Sequence, residues 1–156
     1  MQTGYHLWLL YFYDRRPIQY IERSIDSCLK TQNLYGGFGV PLNSSACEDI
    51  DSIDPLIRLS LETDYRKTEI MDALKRALPW ILVNMNSDGG WVFRRYEAFQ
   101  YGHPAMRVES EESAMFPTWF RTITLAYLAQ FLIDSYMPYY NWRFFDGPGH
   151  QFWRRP

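Results

Sequence analysis

Lys30-Thr31-Gln32-Asn33-Leu34-Tyr35-Gly36-Gly37-Phe38-Gly39 is the stretch on which the fold turns, because part of it comes round again. Shifted by 53 residues, Gly36-Gly37-Phe38 falls on Gly89-Gly90-Trp91. Upstream, Ile18, Ile21, Ile25, Cys28 and Leu29 fall on Met71, Leu74, Leu78, Ile81 and Leu82. Five apolar positions alone match easily by chance. In register with a Gly-Gly-aromatic turn they match far less easily. The pattern is a repeat of helical hairpins, each burying its apolar face against the next.

Working outward, the apolar positions of residues 17–31 recur at intervals of three and four, which is one face of a helix. Pro17 suits the first turn of that helix. Ser44 and Ser45 are N-cap residues for a second helix over residues 45–63, with acidic residues at its start where the helix dipole favours them. Pro55 either kinks this helix or, with Asp54 as cap, opens a shorter one. A long helix over residues 66–84 contains Pro79, which should bend it. Asn86-Ser87-Asp88-Gly89-Gly90 is a turn. Residues 94–112 read as a long loop, and residues 113–136 as a helix apolar on most sides and therefore deeply buried. Residues 6–13 form an apolar run that periodicity alone leaves open between buried helix and strand. From Pro138 the chain looks irregular.

The 156 residues suffice for one domain with a core, and 47% are hydrophobic. The net charge is −2, and Arg15-Arg16, Arg94-Arg95 and Arg154-Arg155 are isolated pairs, so no basic face is available for nucleic acid. Cys28 and Cys47 make no disulfide framework. No stretch is apolar for long enough to span a bilayer, and no signal peptide is evident. The expected location is cytoplasmic, extending to the periphery of a membrane. Aromatic residues reach 18% (six Trp, twelve Tyr, ten Phe), which serves either a core of large rings or a cavity that binds an apolar or cationic ligand.

Residues 30–39 resemble the Gln…Gly-x-Trp/Phe repeat of squalene–hopene cyclases, oxidosqualene cyclases and protein prenyltransferase β subunits. Residues 84–91 are a second copy, with Met85 where the family has Gln. The resemblance covers most of residues 17–134. It implies an all-α fold of antiparallel helical hairpins arranged as a partial or paired α/α toroid. Residues 17–32 and 66–85 would be outer helices, and residues 45–63 and 113–134 inner ones lining the cavity. Residues 1–156 are then a single helical-repeat domain with fewer helices than a full ring. It would be a fragment of a larger toroid, a half-ring pairing with another copy as a homo-oligomer, or a reduced variant.

The richest chemistry lies in Cys47-Glu48-Asp49-Ile50-Asp51-Ser52-Ile53-Asp54, with four carboxylates within seven residues. On a helix Cys47, Asp51 and Asp54 share one face, with Glu48 close beside it. Buried together, they raise at least one pKa and create a proton donor; exposed, they are an acidic helix start. Asp49-Ile50-Asp51-Ser52 resembles the Asp-x-Asp-Asp motif of class II terpene cyclases, with Ser in the last position. This implies Asp51 as acid, with Asp49 and Glu48 tuning it. The prenyltransferase precedent implies instead a zinc site using Cys47, Asp49 and His6. On the last helix, Trp119 and Phe120 could line a cavity and Arg121 bind an anionic group; alternatively the rings are core and Arg121 pairs with the acidic cluster. The expected function is binding and transforming an apolar, isoprenoid-like substrate. The rival is a non-catalytic helical-repeat module that binds a partner protein or a glycan, or packs against the rest of a larger polypeptide.

Overall fold

The computed structural model describes residues 2–132. Five α-helices account for most of these residues: α1 Gln2–Tyr13, α2 Ile21–Lys30, α3 Ala46–Leu59, α4 Lys67–Val83 and α5 Met115–Phe131. The chain is mostly helical, as expected, and the run over residues 6–13 is resolved as helix. α3 packs between α1 and α5; α2 rests on α3, and α4 on α5 and more lightly on α3. α3 is therefore covered from several sides, and every residue from Asp49 to Leu59 is buried.

The repeat is visible in the main chain. Asn33 N–H donates to Gly37 O at 2.8 Å, and Asn86 N–H to Gly90 O at 2.8 Å. Gly39 N–H donates to Thr31 O at 2.9 Å, and Val92 N–H to Asn84 O at 3.2 Å. Isolated bridges join Gln32 to Phe38 and Met85 to Trp91. Each pair of bonds keeps the register of the sequence repeat. The side chains diverge. Gln32 Nε2 donates to Gly36 O and to Ala73 O on α4, at 3.0 and 2.7 Å. Met85 has no such donor, and Arg95 instead ties down the end of α4, donating to Val83 O, Met85 O and Asn86 Oδ1.

α2 has 10 residues and α4 has 17, although both end at equivalent positions, Lys30 and Val83. α4 is about two turns longer at its N-terminal end. Each is preceded by a residue in the left-handed conformation, Tyr20 (φ 57°) and Arg66 (φ 50°). Tyr20 corrects the expected start at Pro17. Ile18 lies outside the helix, though it still packs against the core.

Ser45 caps α3 in a reciprocal capping box with Glu48, and α3 runs unbroken through Pro55. The shorter-helix alternative is thereby removed. α4 likewise continues through Pro79. The expected loop over residues 94–112 contains a small antiparallel pair, β1 Phe99–Gln100 and β2 Arg107–Val108, joined through a 3₁₀ turn at Pro104–Met106. Strands of two residues carry no alternation long enough to be read in advance. α5 begins at Met115 rather than at Ser113. The irregular tail from Pro138, with His150, lies outside the described residues, as does the end of the expected last helix.

The two repeats differ in what covers them. Gly36 is buried against α4, where a side chain would collide with the Arg76 carbonyl. Its equivalent, Gly89, is exposed, with no atom near the place a side chain would take. Leu82, Val83 and Met85 beside it are also exposed.

Candidate functional site

α3 places its acidic residues in three different environments. Asp49 is wholly buried and both its oxygens are in use. Oδ1 accepts from Phe38 N–H at 2.9 Å and from the Ser44 hydroxyl at 2.8 Å. Oδ2 accepts from the Trp80 indole at 3.1 Å and from Arg121 Nη1 at 2.8 Å. Burial pushes Asp49 up, while the Arg121 charge and these donors pull it back. Asp49 thus ties the Gly-Gly-Phe turn, α4 and α5 to α3. This corrects its expected role as a tuning partner of Asp51.

Arg121 completes the same knot. Its guanidinium donates to Asp49 and also to Val92 O, Ser44 O and Phe93 O. With its donors committed to the fold, Arg121 is not placed to bind a ligand anion. The alternative expectation, that it pairs with the acidic cluster, describes what the structure shows.

Glu48 lies at the rim. Burial works to raise its pKa, but Arg94 at 2.9 Å and the capping hydrogen bonds with Ser45 hold it below the usual carboxylate range.

Asp51 and Asp54 point to a second buried region, reached by α1 and α5. Asp54 Oδ1 accepts from Arg58 Nε at 2.6 Å, and Arg58 Nη2 donates to the Tyr127 hydroxyl at 3.1 Å. The Arg58 guanidinium also lies over the rings of Phe12 and Tyr127, at 5.4 and 5.7 Å from their centroids. A buried cation so placed is held by charge and by ring faces together. Burial raises Asp54 to about 6 against the pull of Arg58. Tyr5, fully buried on α1, belongs to this group: burial raises its phenol, with Asp54, Tyr127 and Asp51 adding to the effect. Nothing in the sequence pattern singled out Tyr5, Arg58 or Tyr127, because each comes from a different helix.

Asp51 is only 3% exposed and forms no hydrogen bond or ion pair with any described residue. Burial is the main cause that raises it to about 7; the charge of the chain's amino terminus pulls the other way, and the neighbouring charges of Asp54 and Glu48 add to the rise. A carboxyl group with such a pKa holds a proton near neutrality and can release it.

The expected metal ligands do not come together. Cys47 is partly buried with its thiol pushed up to about 12, first by burial and then by Asp51 and Glu48. His6 is exposed on α1, against the Tyr5 ring. Asp49 has no free oxygen. Among the described residues no three His, Cys, Asp or Glu side chains gather as a metal site. The donor set among the described residues does not fit zinc.

Phe120 is buried, stacked on Trp119 at 4.8 Å and edge-on to Phe116 at 4.7 Å. Trp119, stacked on Phe120, is half exposed. Among the described residues no helix is long and apolar enough to cross a membrane. No protein-family model, curated protein or solved structure matches the chain.

Proposed function

We propose that this chain is part of an α/α toroid of the terpenoid-cyclase and prenyltransferase type, and that Asp51 is a general acid toward an apolar, isoprenoid-like substrate. The observation that carries the reading is the place of Asp51: buried on the central helix, without a hydrogen-bonding or ion-pairing partner among the described residues, where burial pushes its carboxyl up. The ring arrangement is supported by the two hairpin repeats, with α3 between α1 and α5. It is supported too by the open surface at Leu82, Val83, Met85 and Gly89, where by the repeat's own register a further hairpin would stack.

In this reading the Asp51 proton passes to a substrate alkene carbon or epoxide oxygen. The carboxylate left behind and the neighbouring ring faces stabilise the cation that forms. Loss of a proton from the product cation, back to Asp51, closes the cycle as an isomerisation. Cytoplasmic or membrane-peripheral placement and assembly with a second copy or a larger polypeptide belong to the same proposal; nucleic acid does not.

The test is turnover of linear isoprenoids and their epoxides by the purified chain, beside Asp51→Asn. Conversion that disappears in a folded Asp51→Asn protein supports the reading. Absence of product from every substrate would sink it and leave the non-catalytic repeat module. The complete use of Asp49 in packing already gives that second reading one specific support, since half of the expected acidic pair is architectural.

A further inference from the structure

α1 carries no acidic or basic side chain of Asp, Glu, Lys or Arg from Gln2 to Tyr13. A helix that is apolar on every side belongs in an interior. Here only one side has one. Tyr5 is completely buried, Trp8, Leu9 and Phe12 pack against the core, and α1 rests on α3. On the other side Leu7, Leu10, Tyr11 and Tyr13 are between 42% and 51% exposed. Leu10 and Tyr11 follow Leu7 by three and four residues, so the three share one face, with Tyr13 three residues beyond Leu10.

The stripe ends in positive charge. α1 closes with main-chain bonds from Arg15 N–H to Phe12 O at 3.2 Å and from Arg16 N–H to Tyr11 O at 2.8 Å, with Arg15 in the left-handed conformation (φ 53°). Those bonds fix both arginines at the C-terminal end of the helix, where the dipole also favours cations. Both are exposed, and Arg16 lies 3.5 Å from Asp14. Residues 2–20 thus hold two Arg and one Asp, a charge of +1 in a chain whose net charge is −2.

Area separates the possible occupants of this face. Twelve residues make a helix about 18 Å long and about 10 Å wide, a footprint of about 180 Å². Each partner in a stable protein–protein interface buries about 800 Å². The stripe is too small to hold a second copy by itself, and α1 is too short to cross a bilayer. A lipid surface requires neither. Leucine side chains enter the boundary between head groups and acyl chains, tyrosines suit that boundary, and arginines reach anionic head groups.

We propose that α1 lies in the surface of an anionic lipid bilayer, with Leu7, Leu10, Tyr11 and Tyr13 inserted and Arg15 and Arg16 at the head groups. The inference rests on the membrane-peripheral placement in the preceding reading, and adds the surface that makes the contact and the lipid charge it selects.

The full chain is floated with vesicles of phosphatidylcholine alone and of phosphatidylcholine mixed with phosphatidylglycerol, alongside the double variants Leu7→Gln/Leu10→Gln and Arg15→Gln/Arg16→Gln. The wild type should bind the anionic vesicles about tenfold more tightly than the neutral ones, and high salt should reduce that preference. Leu7→Gln/Leu10→Gln should weaken binding to the anionic vesicles by about tenfold at an unchanged melting temperature. Arg15→Gln/Arg16→Gln lies outside the packed side of α1 and should bring the anionic-to-neutral ratio close to one, even if the leucine variant does not fold. Binding of neither vesicle by the wild type would overturn the inference, as would equal binding of both or wild-type binding by a folded leucine variant. So would a chain that sediments as a dimer until Leu7→Gln/Leu10→Gln separates it, which would make a second copy the occupant. Turnover of isoprenoids is measured without vesicles, so the lipid contact and the Asp51 chemistry can fail separately.

Discussion

Asp49 and Arg121 meet at 2.8 Å with both side chains completely buried, and they join the first Gly-Gly-aromatic turn to the last described helix. The pair bridges 72 residues of sequence. Its charges are compensated by each other and by the surrounding hydrogen bonds.

Arg121→Ala should therefore leave Asp49 as an unpaired buried charge and destabilise the fold by about 3–5 kcal/mol. Urea unfolding followed by tryptophan fluorescence measures this. An unchanged midpoint would show that the pair contributes nothing net.

Asp51 makes the opposite contribution. Its folded-state pKa is raised, so between about pH 4 and 7 the folded chain holds a proton that the unfolded chain has released. Stability from this group is therefore greatest in acid and falls as pH rises toward about 7. Asp51→Asn should remove that loss. Its stability relative to wild type should rise by on the order of 2 kcal/mol between pH 5 and pH 8, after allowance for solvent screening. Paired thermal melts across that range decide it, and a difference that does not change with pH would place the Asp51 pKa at its ordinary value.

The two glycine turns should respond unequally. A methyl at Gly37 would collide with the Ser44 hydroxyl and the Trp80 indole, both in the Asp49 knot. Gly37→Ala should cost several kcal/mol, within the range of overpacked core sites. Gly89 has a φ of +83° but open space around it, so Gly89→Ala should cost only about 1 kcal/mol of backbone strain. Equal losses in thermal denaturation would mean that packing around the first turn is looser than described.

Zinc should not co-purify with the untagged chain. Asp49 spends both oxygens on four donors, and His6 faces outward. Elemental analysis should find much less than one zinc per chain, with no change in Cys47→Ala. One zinc per chain, lost in that variant, would place the metal on ligands other than those expected.

Much of the helical plan was legible because periodicity and capping are local. The 53-residue recurrence of Gly36-Gly37-Phe38 as Gly89-Gly90-Trp91 appears in the structure as the same main-chain hydrogen bonds. Ser45, one of the two N-cap residues expected from the sequence, caps α3, and the structure adds Glu48 as its partner in a capping box. The start of α2 was not legible, because Tyr20 adopts a left-handed conformation that its residue type does not announce. The strand pair inside residues 94–112 was too short to show a period.

The acidic octapeptide marked its own importance, but it could not divide the labour within it. Residue types and spacing determine that Asp49 and Asp51 lie on different sides of one helix. Which side meets Arg121, Trp80 and Ser44, and which meets Tyr5, depends on how α1, α4 and α5 pack around α3. Burial and pairing set a carboxyl group's pKa, and both arise from residues distant in the chain. The helices and their repeat are thus properties of local sequence. The separation of Asp49, fastened by four donors, from Asp51, which has no hydrogen-bond partner among the described residues, exists only once the helices have packed.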